Sequence, residues 1–263
     1  MTSESGNVVV DGIYVEYEKA MSTSSERKDS IIFVHGGCHG SWSWEKFLPF
    51  FAENGWNCYA LNWYNHYKSS KIPMDRFLER SIADVTDEIG KVAKYVGGTP
   101  ILIGHSMGGL AVQKFAEKNH VKALVLVTPV VPAEVGGPTI PLEVDETRPW
   151  GPPPVEISKE LFFQGSEDAD VSRYYSLLCP ESPRAVYEAT RWTVHLDKSR
   201  MTMPKLVIGA EIDKLTPHEI EKKLADFYNA EYLFVKGKGH NLLLEPGWRD
   251  TATSIARWLK SLN

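Results

Sequence analysis

"ILIGHSMGGLAVQKFAEK", residues 101–118, decides the fold of this chain. Ile101, Leu102 and Ile103 form a short apolar run. Gly104-His105-Ser106-Met107-Gly108 then sets a small hydroxyl between glycines, and "LAVQKFAEK" repeats apolar residues at helical spacing. Strand, sharp turn and helix in that order are the setting in which a serine is presented as a nucleophile. The glycines have a steric reason, since only residues without Cβ let neighbouring backbone approach such a turn closely. The pattern Gly-x-Ser-x-Gly alone would occur by chance in roughly one chain in ten of this length, so the flanking periodicity carries the weight.

Similar runs recur on both sides. They are "IIFV" at 31–34, "NCYALNW" at 57–63, "PILIG" at 100–104, "VKALVLV" at 121–127, "PKLVIG" at 204–209 and "EYLFV" at 231–235. Continuous, β-branched-rich runs of this length suit strands covered on both faces. Helical periods lie between them at 43–53, 81–96, 107–118, 217–228 and 248–261. The alternation predicts an α/β fold with a mostly parallel central sheet and helices on both faces. "NVVV" and "IYVEYEKA" flank Asp11-Gly12, a hairpin signal, so the chain is expected to open with an antiparallel pair, followed by a surface loop in "STSSERKDS". From Pro129 to Met203 no strand-like run occurs; prolines give way to helix formers and aromatics. An interruption of that length predicts a cap (lid) inserted at 129–203 into a core made of 1–128 and 204–263.

The 263 residues carry a net charge of −5, with 43% hydrophobic and 24% charged residues, enough for one sizeable core. No block of like charge is present, so neither nucleic acid nor an anionic membrane is an expected partner; a small neutral molecule is. Cys38, Cys58 and Cys179 have no metal-like or CxxC spacing, which argues against a disulfide framework or a zinc site and fits a reducing cytoplasm. No leader pattern and no apolar run of about 18 residues is seen, so a soluble, unprocessed protein without a membrane span is expected. Nothing in the sequence speaks to oligomeric state.

A serine hydroxyl needs a base to accept its proton and a third group to orient that base. Of eight histidines, His66, His120 and His218 sit among polar residues and read as surface. His195 lies in the expected cap, and His105 points away from Ser106 as a strand neighbour must. His240, in "LFVKGKGHNLLLEPGW", lies on a glycine-flanked loop beyond the last apolar run, at the sheet edge where sites form in open parallel sheets. "KLVIGAEIDKLTP" places Asp213 beyond the preceding strand, with Glu211 as the competing carboxylate. The order Ser106, Asp213, His240 is the one a Ser…Asp…His hydrolase requires. For the oxyanion, the N–H of Met107 and of Gly37, in "FVHGGCHGSWSW", are the expected donors.

These stretches resemble the α/β-hydrolase superfamily over nearly the whole chain. "FVHGGCHGSWSWEKFLPFF", "GHSMGG", "VIGAEIDKLTP" and "GKGHNLLLEP" look like the subgroup of plant methylesterases, hydroxynitrile lyases and bacterial esterase relatives, and "YYSLLCPESPRAVYEATRW" resembles its cap. The resemblance implies an α/β-hydrolase fold, with Ser106 as nucleophile, His240 as base, Asp213 as orienting acid, and Gly37 and Met107 as oxyanion hole. Two features depart from the wider superfamily: "LNWYNHYKSS" replaces the Asp and Gly-x-Gly-x-Ser turn after the fourth strand, and Ala210 replaces the glycine before the acid loop. In the lyases the resemblance implies a threonine at the place of Gly36 and a lysine at that of Asn241, so no cation awaits a departing cyanide here.

The expectation is a cofactor-free, metal-free carboxylesterase that cleaves a small or medium apolar ester or lactone through an acyl-enzyme on Ser106. Lyase-like or C–C bond chemistry on the same fold, and a ligand receptor of low turnover, are the rivals. Trp150, Phe162, Phe163, Tyr174, Tyr175 and Trp192 supply aromatic surface for a pocket, although each alone reads first as part of the cap's own core. Cys38, beside the oxyanion donor, reads as a buried structural thiol.

Overall fold

The structure, a computed structural model, describes residues 4–20 and 29–262; most of the surface loop expected at 22–30 lies outside the described residues. Strands β1 (Glu4–Val10) and β2 (Ile13–Lys19) pair antiparallel across Asp11-Gly12, both with positive φ (48° and 82°), as a tight two-residue hairpin demands. They are followed by β3 (Ser30–Val34), β4 (Asn57–Leu61), β5 (Ile101–His105), β6 (Ala123–Val127), β7 (Lys205–Ala210) and β8 (Glu231–Val235). The sheet order is β1-β2-β4-β3-β5-β6-β7-β8. β2 meets β4 antiparallel, and every pair from β4 to β8 is parallel.

Helices α1 (Phe47–Glu53), α2 (Met74–Leu78), α3 (Val85–Val96), α4 (Met107–Ala116), α5 (Val155–Phe162), α6 (Asp168–Tyr175), α7 (Pro183–Arg191), α8 (His218–Tyr228) and α9 (Trp248–Ser261) complete the chain. Alternate residues of each central strand feed two cores. Ile32, Val34, Leu102 and Leu124 join α3, α4 and α8 on one face, and Ile31, Phe33, Ile101 and Ile103 join α1 and α9 on the other. The continuous apolar runs have their explanation in this two-sided burial.

The helix expected at 43–53 is split into a 3-10 turn at Ser41–Trp44 and α1. Pro49 has no N–H and is tolerated only in a first helical turn, so the α-helix starts just before it. The five-residue α2 carries too little periodicity to be expected. Between β6 and β7 the chain forms α5, α6 and α7; apart from an isolated bridge between Trp150 and Glu181, no strand interrupts this insertion among the described residues. β3 lies between β4 and β5, so the chain leaves β3 to opposite sides and opens a crevice at the carboxyl ends of β3 and β5.

Candidate active site

Ser106 stands between β5 and α4 with φ 54° and ψ −122°, a conformation a residue with Cβ adopts only under strain. Close packing holds it there. A Cβ on Gly108 would lie 2.2 Å from His35 O, and one on Gly104 would lie 2.5 Å from Gly108 O. The start of α4 thus rests directly on the backbone leaving β3, and the serine is brought beside the His35-Gly36-Gly37 loop.

Two further loops reach the same edge. Asp213, just past β7, accepts from the amides of Leu215 (2.8 Å) and Thr216 (3.1 Å) and from Thr216 Oγ1 (2.9 Å). Its Oδ2 accepts from His240 Nδ1 at 2.7 Å, which leaves His240 Nε2 free to accept from Ser106 Oγ at 2.9 Å. The three residues picked out by sequence are therefore in one hydrogen-bonded line. Glu211, the competing carboxylate, is exposed and accepts from the Gly237 amide at 2.7 Å, away from the imidazole. His105 faces away from Ser106 and donates from Nε2 to His240 O at 3.0 Å; burial holds its pKa well below that of a free imidazole. It supports the His240 main chain.

The Gly36 carbonyl accepts from His35 Nδ1 at 2.7 Å and from the His39 amide at 3.3 Å. A trans peptide is planar, so the Gly37 N–H is fixed on the opposite edge of that plane. His35 Nε2 in turn accepts from the Trp63 amide at 3.2 Å, and burial keeps the ring neutral. Met107 opens α4, and a first-turn N–H has no partner within its helix. Gly37, Ser106 and Met107 line one cavity.

Sequence reasoning gave four side chains around these loops no holding role. His39 donates from Nδ1 to Gly37 O at 2.6 Å and accepts from Asn241 Nδ2 at 2.7 Å; burial lowers its pKa to about 4. Asn241, adjacent to His240, is thereby turned away from the cavity. Glu181 and Gln164 reach the same loops from the insertion. The repeated histidine in "HGGCHG" and the residue after His240 were the available signals for the first pair; the second pair lay in a segment without periodicity.

His66 requires a correction. Polar neighbours in sequence suggested a surface position, but it is fully buried, with Nε2 2.9 Å from Glu181 Oε2. Burial disfavours its charge, yet Cys179 and Glu181 raise its pKa well above the ordinary histidine value. His120 is exposed as expected, His195 is exposed against Glu134, and His218 is half-buried beside Glu219.

The cavity above Ser106 has about 50 Å³ open to the centre of a water molecule. Val130, Ile140, Leu142, Trp150, Phe162 and Val186 form much of its wall, and among the described residues no charged side chain lines it. Of the six aromatics considered from sequence, Trp150 and Phe162 face it; Tyr174 instead stacks on Trp42, 5.7 Å between ring centroids, and Phe163 stacks on Tyr174. Cys38 is buried, and burial pushes its thiol pKa up. Among the described residues no group of three or more His, Cys, Asp and Glu is arranged as metal ligands, and no helix is long and apolar enough to cross a membrane.

Comparison with known proteins gives a consistent set. A sequence profile of the alpha/beta hydrolase family matches residues 31–251. Salicylic acid-binding protein 2 of Nicotiana tabacum is 24% identical over 243 residues, 81% of this chain and 91% of that protein. Methylesterase 1 of Arabidopsis thaliana is 24% identical over 237 residues, 78% and 86% of the two chains. The crystal structure of a monoacylglycerol lipase from Paleococcus ferrophilus superposes with a TM-score of 0.71 at 22% identity, covering 95% of this chain and 99% of the other, and shares its fold.

Proposed function

Because this chain belongs to the alpha/beta hydrolase family and has its fold, we propose that it is a serine carboxylesterase acting on a small or medium apolar ester or lactone. The hydrogen-bonded line from Ser106 Oγ through His240 to Asp213 Oδ2 carries this reading. Several similar proteins are called methylesterases, and one from Vitis vinifera is called methyl jasmonate esterase 1, which supports an ester of a small carboxylic acid.

In this reading Ser106 Oγ attacks the carbonyl carbon while its proton passes to His240 Nε2. Asp213 holds the Nδ1–H tautomer and balances the imidazolium. The carbonyl electron pair moves to oxygen, where the N–H groups of Gly37 and Met107 meet it. The oxyanion collapses, the bond to the alcohol oxygen breaks, and His240 returns the proton to that leaving group. Water, deprotonated by His240, then attacks the acyl-enzyme by the same route, releasing the acid and restoring the Ser106 hydroxyl. No step calls for a metal or an organic cofactor.

The insertion at 129–203 acts as a cap. Trp150, Leu161, Phe162 and Val186 come from it and close the cavity opposite Ser106. An apolar wall without a charged side chain favours a neutral acyl group, since an unpaired charge there loses its hydration without compensation. Purified protein and its Ser106→Ala variant, compared on p-nitrophenyl acetate and butyrate, test the assignment. Turnover by the first and none above background by the second is expected; equal rates would sink it.

A further inference from the structure

Two side chains of the insertion, Gln164 and Glu181, reach into the loops that carry the reacting groups, beside bonds from the main-chain amides of Cys179 to Cys38 O at 3.0 Å and of Gly165 to Glu245 Oε1 at 3.3 Å. Gln164, just past α5, accepts at Oε1 from the His240 amide at 3.0 Å, while its Nε2 donates to Leu161 O at 3.2 Å. On the other side Glu181 Oε2 accepts from the Cys38 amide at 3.1 Å and from His66 at 2.9 Å, and its Oε1 accepts from the Ser182 amide at 2.8 Å. The Glu181 main chain exchanges two further bonds with Trp150, N to O at 2.9 and 2.8 Å.

Each bond fixes a peptide plane next to a reacting atom. The Cys38 N–H and the Gly37 C=O share one plane, so Glu181 at one edge and His39 at the other lock it. The neighbouring plane, which carries the Gly37 N–H, is locked by His35. His240 is held in a similar way, its amide by Gln164 and its carbonyl by His105 Nε2 and by Thr128 Oγ1 at 2.9 Å. Core and insertion thus both anchor each loop.

We propose that Gln164 and Glu181 are positioning residues for the ester cleavage described above, holding the base and the oxyanion loop in reacting geometry only while the insertion is seated on the core. The proposal rests on that functional reading. The segments involved also touch the cavity: Leu161 and Phe162 lie three and two residues before Gln164, and Trp150 pairs with Glu181. An acyl group packed against Leu161, Phe162 and Trp150 therefore stabilises the same seated arrangement that aligns His240 and Gly37. Charge is handled locally. A Cβ on Gly37 would lie 3.4 Å from Glu181 Oε2, close enough for a bare carboxylate to oppose an oxyanion, and His66 stands against it as counter-charge.

Misplaced reacting groups lower kcat more than substrate affinity. The test uses the full-length chain with p-nitrophenyl butyrate, rates being divided by active sites counted with a fluorophosphonate. Gln164→Met and Glu181→Met remove the acceptors at similar size; Glu181→Gln keeps an oxygen for the Cys38 N–H. The two methionine variants are expected to lose roughly tenfold or more in kcat with KM within about twofold, and Glu181→Gln to recover most of the loss. A Gln164→Met protein with kcat within about twofold of wild type, or a loss confined to KM, would overturn the proposal. Should Glu181→Met not fold, the half-buried Gln164 carries the decision alone. A wild-type protein that neither turns over esters nor takes the label removes the functional reading itself, an outcome distinct from unaltered variants of an active enzyme.

Discussion

His240 Nδ1 lies 2.7 Å from Asp213 Oδ2, a contact between loops that follow adjacent parallel strands, β8 and β7. It decides which imidazole nitrogen faces Ser106. In Asp213→Asn the amide presents either a donor or a weaker acceptor to that nitrogen, and the wrong tautomer becomes favourable. The expected loss in kcat is roughly 10⁴-fold with the fold intact. Glu211→Gln, two residues away but bonded to Gly237, is expected to stay within about twofold. Steady-state kinetics on p-nitrophenyl butyrate with both variants checks the distinction, and comparable losses in the two would reverse the assignment of the acid.

Gly108 is a packing requirement of the elbow. Its absent Cβ would meet the carbonyl oxygens of His35 and Val34 at 2.2 and 2.4 Å, both backbone atoms that cannot rotate away. Gly108→Ala is therefore expected to cost roughly 2–4 kcal/mol, read from urea unfolding, and to separate the oxyanion loop from Ser106. A variant as stable as wild type would mean that the loop after β3 yields easily.

Much of this architecture is legible in the chain. The elbow, the two carboxyl-edge loops and the hairpin each carry a local signal: glycines around Ser106, a strand run before Asp213 or His240, and Asp11-Gly12. What holds the site is less visible, because it is made of long-range contacts. His66 sits in a polar stretch yet is buried against His35, Trp63 and Glu181, the last 115 residues later in the chain. Gln164 bonds to His240 across 76 residues with no periodic pattern to announce it. Of the aromatics in the insertion, Tyr174 packs on Trp42 of the core and not around the cavity, a choice that depends on how α6 docks.

The cavity wall sets a chemical preference. With no charged side chain among the described residues lining it, an acyl carboxylate would be buried unpaired. Mono-p-nitrophenyl succinate is expected to show kcat/KM more than about 100-fold below that of p-nitrophenyl butyrate, a difference of about 2.7 kcal/mol. Similar values for the two esters would place the acyl group outside this cavity.

Glu221, on α8 beneath the Asp213 loop, is fully buried, and among the described residues its carboxyl group has no cationic partner. Burial first, and then the charge of Asp213, raise its pKa well above the ordinary 4.5; Thr216, the Ala210 backbone and Glu219 are its other neighbours, and Tyr232 meets it over Gly209. The unfolded chain ionises this group near 4.5 and the folded one only well above it. Its contribution is thus intact below 4.5 and declines as pH rises through the folded value. Glu221→Gln removes that decline, so its gain in Tm over wild type should grow from pH 5 to pH 8. An equal difference at both pH values would contradict the buried neutral acid.

Ser106 is the proposed nucleophile. Labelling the native protein with a fluorophosphonate and mapping the adduct by mass spectrometry tests it most directly. One phosphonyl group per chain on the peptide containing Ser106, absent after heat denaturation, is the predicted result. No adduct, or an adduct on another residue, would contradict it.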